Sequence, residues 1–148
     1  MAKKVREWLV GLDEMDLNPY AEIVQRLVGE IPELAPVLDS HLSDEKGELL
    51  AYSLFARVAD WLVRRHLENG REDPVVERAL RFLESELVGG NPKEQELVAI
   101  GFVESLLDLQ PPADGFCVLL GPVMTAELQR LRMFWSEVIR AKEEGRLD

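Results

Sequence analysis

The chain has 148 residues, 47% of them hydrophobic and 30% charged, with a formal net charge of -11. That is one domain's worth of material with enough apolar surface to build a core, and it lacks the low hydropathy of chains that stay disordered. A single cysteine, Cys117, excludes an intramolecular disulfide framework and the usual structural zinc patterns, and the acidic balance disfavours a phosphate backbone as partner.

No run reaches the ~20 apolar residues of a membrane span, and Glu7, Asp13, Glu14 and Asp16 interrupt the N-terminal segment before a secretory core can form. A cytoplasmic protein with no membrane or nucleic-acid partner is the expectation. Charge is unevenly distributed: residues 1–6 carry +3, 7–50 carry -9, 51–71 carry +2 and 72–108 carry -6. The acidic territories would attract a basic protein, although acidity also serves solubility alone.

Apolar spacings of three and four predict helix almost throughout, in one domain covering residues 1–148. A short amphipathic helix over 5–12 comes first. Asn18-Pro19 opens the next, with Tyr20, Ile23, Val24, Leu27 and Val28 as its buried stripe. Pro32 and Pro36 impose a turn and then a short helix from Ala35. The most apolar long helix is predicted over 45–68, restarting at Ser43 or Asp44. Its Leu49, Leu50, Leu54, Phe55, Val58, Trp61, Leu62 and Val63 cover most of the circumference, as expected of a central helix.

Asn69-Gly70 ends that helix and Asp73-Pro74 begins a surface helix running to about Val88. Asn91-Pro92-Lys93-Glu94 has the form of a capping box. The helix that follows, to about Asp108, carries the apolar run 97–103 and should be the second central one, with Gly101 allowing a neighbouring backbone to come close. Gln110-Pro111-Pro112-Ala113 makes a corner, 115–120 a short helix, and 124–144 the final long helix with Leu128, Leu131, Trp135, Val138 and Ile139 as its stripe. The expected fold is all-α, an irregular bundle of six or seven helices around two central apolar ones.

The residues of catalysis are sparse. The phosphate loop, the nucleophile elbow and histidine pairs at metal-binding spacing are all missing. Asp39, His41, Glu45 and Glu48 are the best metal candidates, against the plainer reading of His41 as a helix-terminating side chain bonding the last carbonyls. His66 reads as a surface helix end, and Cys117, among Phe116, Val118, Leu119 and Leu120, as a buried small hydrophobe. No cofactor is implied.

Two constellations stand out as binding candidates. Ser53, Arg57, Asp60 and Arg64 recur at four, three and four on the central helix, so Asp60 can reach an arginine on either side. The stripe is either a solvent-facing edge laced by ion pairs, the plainer and preferred reading, or the wall of a groove offering guanidinium groups to an acidic or carbonyl-rich partner. Met133-Phe134-Trp135 cannot all face one core. A wide core face is the first expectation, with an exposed anchor for a partner as the alternative in which Phe134 and Trp135 would contribute.

Glu30-Ile31-Pro32-Glu33-Leu34, Glu48-Leu49-Leu50, Ala59-Asp60-Trp61-Leu62 and the segment from Glu96 to Leu106 together resemble a family of small bacterial helical proteins known only as a domain of unknown function, over about residues 22–131. Small acidic helical proteins of this kind include immunity proteins encoded beside bacterial toxins, so the resemblance implies the same role as a possibility. No functional residues come with it. The expected function is therefore a non-enzymatic protein-binding module, an immunity protein being the specific form, whose Asp13, Glu14, Asp16, Glu22, Glu30 and Glu33 meet a basic target. The alternatives are a self-associating adaptor or scaffold subunit and, further off, a carboxylate-metal enzyme.

Overall fold

The computed structural model describes residues 18–70 and 72–146, so the predicted helix over 5–12 and the candidates Asp13, Glu14 and Asp16 lie outside the described residues. The fold is all-α, with no strand among the described residues. Asn18 accepts from the Tyr20 N–H at 2.9 Å and donates to the Leu49 carbonyl at 3.2 Å, so it folds into a side-chain turn one step ahead of the helix instead of capping it. Helix α1 (Ala21–Glu30) buries Ile23, Val24, Leu27 and Val28. A single 3-10 turn (Pro32–Leu34) leads into α2 (Ala35–Asp44), which places Pro36 in its first turn, where the missing N–H has no intrahelical partner to lose.

The long helix does not start at Glu45. Lys46 and Gly47 take φ of 55° and 88°, and the Gly47 N–H bonds the Leu42 carbonyl at 2.7 Å in a closure that terminates α2. The chain then crosses to α3 (Ala51–Asn69), which buries Leu54, Phe55, Val58, Ala59, Leu62, Val63 and His66. Asp73 caps α4 (Pro74–Gly89) by accepting from the Val75 N–H, and the same carboxylate receives Arg65 at 2.6 Å and Asn69 at 2.9 Å from the end of α3.

The capping box is present in full: Asn91 accepts from the Glu94 N–H at 2.9 Å and its own N–H donates to the Glu94 carboxylate at 3.2 Å. It starts α5 (Pro92–Glu96), which continues without a break through a π-helical segment (Leu97–Val103) into α6 (Glu104–Asp108). The wider turn lets six of the seven residues in that segment be buried, Ile100 being the half-buried one. A Cβ on Gly101 would lie 3.1 Å from both the Leu97 side chain and the Phe55 Cβ, so the close approach to α3 depends on glycine there. Helix α3 and the π-helical segment pack chiefly on each other, and α1, α2, α4 and the first half of the last helix surround them. The two predicted apolar helices are the centre of the bundle.

After the proline corner come α7 (Asp114–Cys117), shorter than the predicted helix, and α8 (Pro122–Glu143). Glu84 of α4 accepts from the N–H groups of Val123 and Met124, each at 2.8 Å, and so supplies the N-terminus of α8 with the anion it favours. Gly121 makes room for that carboxylate, since a Cβ there would stand 2.6 Å from its carbon. Only Met124, Leu128 and Leu131 of the predicted stripe region enter the shared core. Beyond Leu131 most of the large apolar residues of the helix are exposed: Trp135 and Ile139 by 41% and 55%, and Met133 and Phe134 by 67% and 51%. The wide core face expected of Met133-Phe134-Trp135 is therefore corrected. Three successive residues turn through about 200° of the helix, more than one packed face can cover.

Candidate functional site

The polar stripe of α3 borders an open groove of about 640 Å³ between α2 and α3, lined by Pro36, Val37 and Ser40 on one side and Ala56, Arg57, Asp60, Trp61 and Arg64 on the other. Three of the four predicted stripe residues meet here; Ser53 is exposed one turn earlier and is not part of the lining. Asp60 pairs with Arg64 at 2.9 Å. Arg57 turns away from Asp60 and donates to Asp44 at the end of α2 at 2.7 Å, clipping the two walls together at one end. Trp61 is half-buried in the groove with the Arg65 guanidinium 5.4 Å from its ring centroid, which holds the indole face in place. The groove thus has an apolar floor and a charged rim carrying both signs, the anatomy of a small protein-recognition surface.

Arg57, Asp60 and Arg64 are thus all ion-paired, and all three border a concavity. The opposite wall went unread in the sequence. Pro36, Val37 and Ser40 are spaced one and three apart on α2, which was signal enough for a helix face but not for which helix it would oppose.

His41 follows Ser40 on α2. Its ring is buried and its Nε2 accepts the Leu50 N–H at 3.0 Å, so it fastens the 45–50 crossing instead of bonding the last carbonyls of α2. As an acceptor at Nε2 the neutral ring carries its proton on Nδ1, which is buried and has no hydrogen-bond partner among the described residues. Burial and, after it, the nearby Arg57 charge lower the His41 pKa, against smaller opposing effects of Glu45 and Asp44. The proposed gathering of Asp39, His41, Glu45 and Glu48 does not form: among the described residues, no three His, Cys, Asp or Glu side chains are grouped to hold a metal ion. His66 is buried, not at the surface, and meets Phe116 edge-on at 5.9 Å. Cys117 is half-buried, and burial pushes its thiol pKa up, away from nucleophilic character.

Of the acidic candidates among the described residues, Glu22 stands apart from Glu30 and Glu33. Glu22 lies in the first turn of α1 and Glu30 in its last, roughly 12 Å apart by helix rise. Glu33 is tied to Arg78 at 2.7 Å, and Arg78 also donates to the Glu30 carbonyl at 3.2 Å. A hydrogen bond with its own backbone N–H, and then Arg78, hold the Glu33 carboxyl below the usual range. A larger cleft of about 890 Å³ runs along α4 past Leu119 and Gly121, and its central acid, Glu84, is the one spent on the N-terminus of α8. Among the described residues no helix is long and apolar enough to cross a membrane.

No curated protein and no solved structure matches this chain. One family model does, over residues 24–136, a span that runs from within α1 to within α8 and takes in both walls of the groove. The chain belongs to that family, described as Domain of unknown function (DUF7674).

Proposed function

We propose that the chain is a non-enzymatic protein-binding module that takes a segment of its partner into the groove between α2 and α3. The observation that carries this reading is the groove's construction: Val37, Ala56 and Trp61 offer apolar contact at its floor while Arg57, Asp60 and Arg64 hold fixed charges on its rim. Floor contacts supply affinity and the rim sets register. The net charge of -11 favours fast encounter with a basic protein. A cytoplasmic immunity protein that neutralises a bacterial toxin is the specific role that small size and acidity suit.

The test is affinity capture from native lysate at low and high salt, with the wild-type chain beside a Val37→Asp/Arg64→Glu variant and a control altered at the exposed Ser85 of α4. A protein retained by wild type and control but lost with the groove variant supports the reading. Retention that ignores the groove variant, or no retained protein at either salt, refutes it. A second reading, a self-associating adaptor or scaffold subunit, draws on the exposed Met133, Phe134 and Trp135. Sedimentation separates the two: self-association requires a dimer that Trp135→Ala weakens, whereas the groove reading predicts a monomer.

A further inference from the structure

The two arginines of the groove are not used up by the acids that hold them. Asp60 meets Arg64 through Nε at 2.9 Å, and Asp44 meets Arg57 through one terminal nitrogen at 2.7 Å. Neither guanidinium has a further hydrogen-bond or ion-pair partner among the described residues, and a guanidinium carries more N–H donors than one carboxylate oxygen can take. The Arg64 side chain is 74% exposed, so its remaining donors are open to a ligand. Arg57 and Arg64 stand two helical turns apart on α3, about 10 Å along its axis. Half-buried Ala56 and Trp61 share that wall, and half-buried Val37 belongs to the α2 wall.

The lining holds two cations and one anion, Asp60, which is already paired. That is the reverse of the whole chain, whose net charge is -11, and it agrees with the +2 carried by residues 51–71. The two balances act at different distances. The net charge works on approach, whereas charges more than about 8 Å away are largely screened at cellular ionic strength, so a segment inside the groove answers to the arginines beside it.

We infer that the groove takes an acidic-apolar peptide segment, whose aliphatic or aromatic side chain seats against Val37, Ala56 and Trp61 while flanking side-chain carboxylates are received by Arg57 and Arg64. This rests on the groove reading above and gives it a partner chemistry: a protein basic enough overall to be drawn to this chain, which inserts a stretch of the opposite sign. An extended peptide rises about 3.3 Å per residue, so acids three residues apart match the spacing of the two arginines on α3. Charge-assisted bonds from a guanidinium to a carboxylate are among the strongest polar contacts available, and they fix register as well. A basic segment gains only Asp60, which it must share with Arg64, and meets both guanidinium groups at contact distance.

The experiment selects a displayed library of random short peptides on the immobilised full-length chain. Synthetic versions of the enriched sequences, with both ends capped, are then titrated by fluorescence anisotropy against wild type, Val37→Gln, Arg64→Glu and Ser85→Ala. The enriched sequences are expected to carry Asp or Glu on either side of an apolar residue. Val37→Gln and Arg64→Glu should each weaken them about tenfold, with Ser85→Ala unchanged, and a Lys in place of the acid that meets Arg64 should restore binding to Arg64→Glu. Enriched sequences that are basic or uncharged, yet lost with Val37→Gln, overturn the inference and leave the groove reading standing, as do acidic sequences indifferent to Arg64→Glu. If no enriched sequence responds to Val37→Gln, the groove reading falls and this inference with it.

Discussion

His41 shows how much one buried side chain can decide. Its Nε2 can accept the Leu50 N–H only while the ring is neutral, and its folded-state pKa lies below the ordinary value of 6.5. The unfolded chain therefore binds the proton more readily, so the stability His41 contributes is complete above about pH 6.5 and is lost as pH falls through the folded pKa. Denaturant titrations across pH 7 to 5 should show stability falling with acid in the wild type, with a flatter profile in His41→Leu. That variant should cost about 1 kcal/mol at pH 7 by leaving the Leu50 N–H without its acceptor. Asp73 makes a lower-lying case. Burial pushes its pKa up, but the bonds from Asn69, Arg65 and the Val75 N–H outweigh this and leave it lowered from 3.8. Its contribution is complete above that value and disappears as pH drops through the folded pKa. Asp73→Ala should cost about 1–2 kcal/mol at neutral pH, whereas Asp73→Asn should retain the cap and lose the bonds from Arg65 and Asn69, which share the other oxygen, as thermal melts of both variants would show.

At the scale of elements, the helices that proline, asparagine and glycine punctuate were legible from sequence, because those residues act locally: Asn91 to Glu94 folds as its pattern requires, and Asp73-Pro74 begins α4. The false start of α3 has the same origin in reverse. Lys46 adopts a left-handed conformation that its residue type does not advertise, and the bond from Leu50 to His41 that holds the crossing is made nine residues apart. The groove and the exposed apolar residues of α8 were half legible. A stripe on α3 is a periodicity, but its opposite wall is a tertiary fact, and Trp135 shares the spacing of Leu131 with nothing in sequence to say that one is buried and the other 41% exposed. The Gly101 contact is where element packing is most demanding. Gly101→Ala should destabilise the bundle by about 1–3 kcal/mol, since its methyl would press on Leu97 and Phe55 at 3.1 Å, and a denaturant midpoint shift without a change in slope would confirm a local packing cost.

At the scale of the molecule, the described residues form a helical core that carries, on its outside, a charged groove with apolar lining and an exposed apolar face on the last helix. Arg26, which bridges Glu86 and Glu94, and Arg65, which bridges α3 to the cap of α4, lock the frame that carries them. Such a frame favours recognition by a preformed surface, with small adjustment on binding. The most direct measurement places a photo-activatable cross-linking residue at Ser40, on the groove wall, and separately at Ser85, on α4, and irradiates living cells. The account predicts a discrete adduct with one protein from position 40 and none from position 85. Adducts that are identical from both positions, or absent from position 40, would contradict it.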